Sequence, residues 1–223
     1  GSVAERTLMW LVCLAKGAMA GDRATRSGDF AWRDRRTASD VAGKSALIMG
    51  FGRIGQRVGA LCRALGLRVA AFDPYMERSP VEGVEMVKDF RAILPETDFL
   101  CLHLPSTPET RDLIGAGELA LLKRGAFVLN CARGGIVDED VLCDALESGH
   151  VGGAGLDVFA KEPPDTAHRL FRQEKVLLSP HNAALTEECA IRMATQAVQN
   201  VPDCLDGNLQ PRVVMNRPQI GLA

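Results

Sequence analysis

The sequence predicts a doubly wound α/β fold. A parallel sheet is covered on both faces by helices, with a connector helix at the amino end and a helix plus tail at the carboxy end. Three observations predict it. Short, almost wholly apolar runs alternate with helix-length segments from about Lys44 to Pro180, the mark of parallel strands buried on both faces. A glycine-rich turn joins the first run to the helix after it. Polar and charged residues recur just beyond the ends of successive runs, and in a parallel sheet those ends share one rim.

In chain order, Ser2-Val3-Ala4-Glu5 reads as a capping box, Ser2 at the N-cap and Glu5 at N3, opening a helix to about Ala20. Leu8, Met9, Trp10, Leu11, Val12 and Leu14 leave it few polar positions, so it is expected to be buried on several sides in a domain or subunit contact. The same stretch superficially resembles a secretion signal ending at Ala18-Met19-Ala20. Glu5 in the would-be basic region argues against that, and the apolar run is too short to span a bilayer. Gly21 to Ala42 is a polar arm rich in Arg and Asp.

Strands are then expected at Ala46–Met49, Leu67–Phe72, Asp98–Leu102, Ala126–Asn130, Gly155–Val158 and Lys175–Leu178. Helices are expected at Ile54–Leu65, Phe90–Leu94, Gly117–Leu122 and Glu139–Ser148. Ala190, Met193, Ala194, Ala197, Val198 and Val201 recur at helical spacing within Glu187–Leu205, and Pro202 should end or kink that helix. Asn208–Ala223 reads as an extended arm. The expected division is a dinucleotide-binding domain over 1–185, with connector and arm at 1–42, and a carboxy-terminal helix and tail over 186–223.

Composition excludes several classes. Lys and Arg number 26 against 28 Asp and Glu, so the net charge of −2 provides no basic field for nucleic acid. A hydrophobic share of 47% excludes a disordered chain. Seven cysteines, an odd number without a C-x-x-C pair, suit reduced thiols in a cytoplasmic protein better than a disulfide framework. No H-E-x-x-H, C-x-x-C or H-x-H spacing points to a metal, and no G-x-S-x-G elbow points to a serine hydrolase.

Gly50-Phe51-Gly52-Arg53-Ile54-Gly55 carries the first chemistry. Gly50 permits a tight turn, Gly52 lets the backbone approach a pyrophosphate, and Gly55 allows close helix–strand packing. The helix amino end supplies free N–H groups and positive potential. This is a Rossmann-like cradle. Asp73 closes the second strand at the expected offset, where a carboxylate accepts bonds from adenine-ribose hydroxyls and repels a 2′-phosphate. NAD is thus expected over NADP; the plainer reading of Asp73 is a turn acid before Pro74.

On the rim stand His103 and Pro105, then Cys131-Ala132-Arg133-Gly134-Gly135, Asp157, Glu162 and His181-Asn182-Ala183. Arg133, Glu162 and His181 come from three loops and are expected to converge. Arg133 can hold a carboxylate bidentately and polarise a neighbouring carbonyl. His181 can exchange a proton with an oxygen passing between carbonyl and alcohol, while Glu162 fixes its tautomer. Taken singly, these residues also read as a surface charge, a turn acid and a structural histidine. Together, beside a nicotinamide, they describe hydride transfer to a 2-oxo acid.

At these residues the sequence resembles the D-isomer-specific 2-hydroxyacid dehydrogenase family, which includes phosphoglycerate dehydrogenases and glyoxylate/hydroxypyruvate reductases. The resemblance runs from Ser2-Val3-Ala4-Glu5 to about Thr186, through Leu102-His103-Leu104-Pro105, Asn130-Cys131-Ala132-Arg133-Gly134, Val137-Asp138, Gly155-Leu156-Asp157-Val158-Phe159, Glu162-Pro163 and Ser179-Pro180-His181. It implies that Arg133 anchors the substrate, that His181 is the acid/base and that Glu162 is its partner. It implies that Arg53 and Ile54 contact the pyrophosphate, that His103, Pro105, Thr110, Cys131 and Ala132 flank the cofactor, and that Asp157 holds the carboxamide. Ala183 and Ala184 would border the nicotinamide. It further implies a homodimer and an amino-terminal substrate lobe that this chain lacks, on which 186–223 would pack. Asn182-Ala183 stands where the family often has Ile or Thr followed by Gly. Two other outcomes are compatible with the same residues: an NAD(H)-sensing interaction protein of the corepressor kind, and an NAD-binding fragment without turnover.

Overall fold

The computed structural model describes residues 1–35 and 38–214, and the chain forms two compact units, Gly1–Ala183 and Ala184–Ala223. The first unit is built on a seven-stranded, wholly parallel sheet: β1 (Ser45–Met49), β2 (Arg68–Phe72), β3 (Val84–Met86), β4 (Phe99–Leu102), β5 (Ala126–Asn130), β6 (Val151–Leu156) and β7 (Val176–Leu178). Their order is β3-β2-β1-β4-β5-β6-β7. β1 is paired on one side with β2, up to Met49↔Phe72, and on the other with β4, up to Met49↔Leu102. The order therefore reverses at β1, which puts the ends of β1 and β4 at the switch point where open parallel sheets take their ligands.

Alternation along each strand divides the buried side chains between two cores. Leu47, Met49, Leu100, Leu102, Val128 and Leu156 face one side, packed with Leu142 and Leu146 of α5 (Glu139–Glu147). Ala46, Ile48, Phe99, Cys101 and Leu129 face the other. There they meet Val58 and Cys62 of α3 (Arg53–Ala64), and Trp10 and Leu11 of α1 (Ser2–Lys16). The short α4 (Ala116–Leu121) places Leu119 in the first core.

Several sequence expectations are corrected. Ser2 is not an N-cap: the helix begins at Ser2 after Gly1, no side chain caps it, and the buried Ser2 hydroxyl donates to the Ala183 carbonyl. The first helix stops at Lys16, because Gly17 takes a left-handed conformation (φ 59°), and α2 (Ala18–Arg26) follows. No helix forms at Phe90–Leu94. The Asp89 carboxylate takes the Arg91 amide in a turn, and a 3₁₀ turn at Leu94–Glu96, with Pro95 in it, precedes β4. The strand expected at Gly155–Val158 is β6, which starts at Val151. Its glycines are there because side chains do not fit: a Cβ on Gly155 would lie 2.6 Å from the Trp10 ring, and one on Gly153 would lie 2.7 Å from the Lys175 carbonyl. β3 is a three-residue edge strand that the apolar pattern does not reveal.

The second unit contains α6 (Glu187–Leu205), capped by the Thr186 hydroxyl accepting from the Cys189 amide at 3.2 Å. Pro202 does not end the helix. It lies in the last turn, and its carbonyl still accepts from the Asp206 amide. A 3₁₀ turn follows at Pro211–Val213; the rest of the expected extended arm, from Met215, lies outside the described residues.

Candidate active site

The site begins with the turn between β1 and α3. Gly50 has φ 85°, and a Cβ on it would lie 2.6 Å from the His103 carbonyl, so the β1 and β4 loops meet with no room for a side chain. Gly55 fits tightly as well, its would-be Cβ 2.1 Å from the Gly50 carbonyl oxygen. A Cβ on Gly52 would meet nothing within 4 Å. That open position lies at the amino end of a twelve-residue helix that no side chain caps, with Arg53 and Ile54 exposed beside it. Bare backbone, free amides and a helix dipole fit the pyrophosphate of a dinucleotide.

Asp73 stands just past β2, accepting from the Phe51 amide at 2.8 Å with one oxygen and from the Tyr75 amide at 3.0 Å with the other. Each oxygen keeps lone-pair capacity for ribose hydroxyls. In the β4 loop, the Thr110 hydroxyl donates to the Pro105 carbonyl at 2.7 Å and accepts from the Thr107 amide at 2.8 Å, fixing the loop from inside. The His103 ring is buried with neither nitrogen partnered, and burial lowers its pKa to about 4. It is a neutral group at ordinary pH.

Asn130 at the end of β5 shapes the next loop. Its side-chain oxygen accepts from the Ala132 amide and its nitrogen donates to the Arg133 carbonyl, both at 3.0 Å. Cys131 and Ala132 are buried, and burial chiefly pushes the Cys131 thiol up to about 12, so it is no nucleophile. Arg133 is exposed, and its Nη1 donates to the Ala132 carbonyl at 2.6 Å. A Cβ on Gly134 would lie 1.7 Å from the Phe159 carbonyl, so the arginine loop stacks directly on the loop leading to Glu162.

Glu162 and His181 meet. The Glu162 Oε2 atom is 2.8 Å from His181 Nδ1, and Oε1 accepts from the Phe159 amide at 3.1 Å. An ionised carboxylate has no proton to give, so Nδ1 is the donor and Nε2 is left for other chemistry. Burial works against the charge of Glu162. The His181 and Phe159 hydrogen bonds, with the positive charges of His181 and Arg133, outweigh it and hold the carboxyl below its ordinary range. A cavity of about 500 Å³ flanks the pair, walled by Phe159, Pro163, Phe171, Leu178 and Pro180. His181 has φ 52°, unusual for a residue with a side chain.

Asp157 holds the backbone on either side of that histidine. It is 2% exposed, and its carboxylate accepts from the Ser179 hydroxyl, from the Asn182 amide at 3.0 Å and from the Ala183 amide at 2.9 Å. Arg6 of α1 reaches the Asn182 side chain at 3.3 Å. The structure thus brings Arg133, Glu162, His181, Asp157 and Ala183 to one rim, while Ala184 opens the second unit. Sequence reasoning missed Asn130, Ser179 and Arg6. A polar residue ending an apolar strand is a legible sign of the first; the other two act across long sequence separations that leave no local mark. Among the described residues, no group of three or more His, Cys, Asp or Glu could hold a metal ion.

The family model for the D-isomer specific 2-hydroxyacid dehydrogenase NAD binding domain matches residues 8–183. The D-3-phosphoglycerate dehydrogenase of Methanocaldococcus jannaschii is 37% identical over 221 residues, covering 98% of this chain and 42% of that protein. The D-3-phosphoglycerate dehydrogenase of Mycobacterium leprae is 40% identical over 216 residues, covering 96% of this chain and 40% of that protein. Among solved structures, the D-lactate dehydrogenase of Aquifex aeolicus complexed with NAD and lactic acid is similar with a TM-score of 0.85. It is 28% identical, and the match covers 93% of this chain and 67% of that one. The chain spans about two fifths of the length of these curated relatives.

Proposed function

The chain belongs to the D-isomer specific 2-hydroxyacid dehydrogenases through their NAD-binding domain, and on that premise we propose that it serves an NAD-dependent oxidoreductase acting on a small D-2-hydroxy acid and its 2-oxo acid. The observation that carries the proposal is the Glu162–His181 pair at 2.8 Å, with Arg133 on a loop stacked on the Phe159 backbone that leads to Glu162. Bound NADH would supply the hydride. Gly50, Gly52, Gly55, Arg53 and Ile54 hold the pyrophosphate, and Asp73 accepts the ribose hydroxyls and disfavours a 2′-phosphate. His103, Pro105, Thr110, Cys131, Ala132 and Ala183 border the cofactor. Asp157 orders the segment around His181 and borders the carboxamide.

Arg133 holds the substrate carboxylate and draws density from the adjacent carbonyl. His181 gives a proton from Nε2 to the carbonyl oxygen as it becomes a hydroxyl, and takes it back in the reverse direction. Glu162 keeps Nδ1 protonated and stabilises the charged ring. The pair is open to solvent on one side, with an apolar wall of Phe159, Pro163, Phe171, Leu178 and Pro180 on the other.

A homodimer is part of the same proposal. A groove of about 410 Å³ lies along α1 and α2, lined by Leu14, Met19, Trp32, Phe127 and Leu177, and Met9 and Met19 are exposed nearby. The seven free cysteines, most of them at least partly buried, support a reducing compartment such as the cytoplasm. No described helix is long and apolar enough to cross a membrane.

The test is an assay of the full-length protein with NADH and a panel of glyoxylate, hydroxypyruvate, pyruvate and 3-phosphohydroxypyruvate. NADH oxidation is expected with at least one, and Arg133→Ala and His181→Ala should each lower kcat/KM by about 2–3 kcal/mol of transition-state stabilisation. No turnover with any 2-oxo acid, or a near-normal rate in either variant, would contradict the roles of Arg133 and His181.

A further inference from the structure

We propose that Glu139 is a positioning residue for the Glu162–His181 pair, its carboxylate holding the loop that carries Glu162; this rests on the dehydrogenase reading of that pair. Glu139 is the first residue of α5, yet it does not cap the helix. Asp138 does that, its Oδ1 accepting from the Asp140 amide at 3.0 Å and the Val141 amide at 3.1 Å. The Glu139 carboxylate instead crosses to the loop after β6, where Oε1 accepts from the Ala160 amide at 2.6 Å.

That loop has two consecutive amides with carboxylate partners. Phe159 donates to Glu162 at 3.1 Å, which curls the loop back on itself. Ala160 donates outward to Glu139, which ties the curl to α5. The Gly134 backbone closes on the Phe159 carbonyl from the arginine side. Ala160, Lys161 and Glu162 are exposed, so side-chain packing does little to hold this part of the loop. Without the Glu139 bond, Glu162 would depend on its contacts with Phe159 and His181 alone.

Solution NMR on the full chain tests this by reading the low-field Nδ1 proton of His181 and the titration of the Glu162 carboxyl, with His181→Gln securing assignment. Glu139→Ala should lose the Nδ1 signal to solvent exchange and return the Glu162 titration toward the ordinary carboxyl range. Glu139→Met, similar in volume but without the carboxylate, should do the same if the alanine variant folds poorly. Glu139→Gln keeps an acceptor for Ala160 and should retain both signals. Asp138→Ala removes the helix cap and should lower Tm while leaving both signals in place. In the full-length protein, Glu139→Ala should lower kcat about tenfold or more, as expected for a misplaced catalytic group, with the Kd for NADH unchanged.

Wild-type signals in Glu139→Ala and Glu139→Met would overturn the proposal. An equal loss in Asp138→Ala would also overturn it, by reducing Glu139 to helix stability. The NMR readout needs no turnover. Intact coupling in a protein that reduces no 2-oxo acid would sink the dehydrogenase reading and leave the Glu139–Ala160 tie standing.

Discussion

At the residue scale, function depends on where a side chain is missing as much as on where one is present. Gly134 lets the arginine loop rest on the Phe159 carbonyl, and a methyl group there would overlap that oxygen at 1.7 Å. Gly134→Ala should therefore lower stability by about 1–3 kcal/mol in a denaturant melt, the usual range for overpacking. It should lower kcat as well, because the two loops it separates carry Arg133 and Glu162. An unchanged melt would show that the loops do not stack. Asp73 makes a second prediction. Its bonds to the Phe51 and Tyr75 amides fix the carboxylate at the β2 end, so Asp73→Ser should raise the ratio of NADP to NAD use by removing the charge that repels a 2′-phosphate. An unchanged ratio would take Asp73 out of the ribose site. The glycine motif, Asp73 and the Glu162–His181 pairing were legible in the sequence because strand ends in a parallel sheet share a rim. Glu139 was not, since it works by bonding a backbone amide of a distant loop that no spacing rule identifies.

At the element scale, what the sequence showed and what it hid have one physical cause. Fully buried strands such as β1 and β4 announce themselves by unbroken apolar runs. β6 shows only its second half, because the Gly125 carbonyl, the Lys175 carbonyl and Trp10 occupy the space where side chains would stand at Gly152, Gly153 and Gly155, and the strand's start at Val151 is hidden among glycines. β3 is too short to show a period, and the break at Gly17 rests on a single left-handed residue inside an apolar stretch. Elements are also joined by charge. Asp98, just before β4, accepts from the Ser45 amide at the start of β1 at 3.0 Å and from Lys123 at 2.7 Å. Burial opposes its charge, but the bonds from Lys123 and Ser45 prevail and hold its carboxyl below the ordinary range. A depressed native value stabilises the fold fully above the ordinary aspartate value of about 3.9, and that stabilisation is lost as pH falls through the lower native value. The stability gap between wild type and Asp98→Asn should therefore be wide at neutral pH and narrow on acidification. A pH-independent gap would show that Asp98 carries no such linkage.

At the scale of the whole molecule, one chain joins a glycine turn open at Gly52, the Glu162–His181 pair and an apolar groove along α1 and α2. Sedimentation of the protein should show a dimer, and Leu14→Asp, which places a charge in the groove along α1, should shift it to monomer without loss of NADH binding. A monomeric wild type would remove the homodimer. Everything proposed for the rim requires its residues to move a hydride and a proton across one carbonyl. The measurement that tests this most directly follows deuterium from C4 of labelled NADH into product, using the full-length protein and the 2-oxo acid it reduces fastest. Deuterium is expected at C2 of a D-2-hydroxy acid, with transfer falling sharply in His181→Ala. An unlabelled product, an L-configured one, or equal transfer by the His181 variant would contradict it.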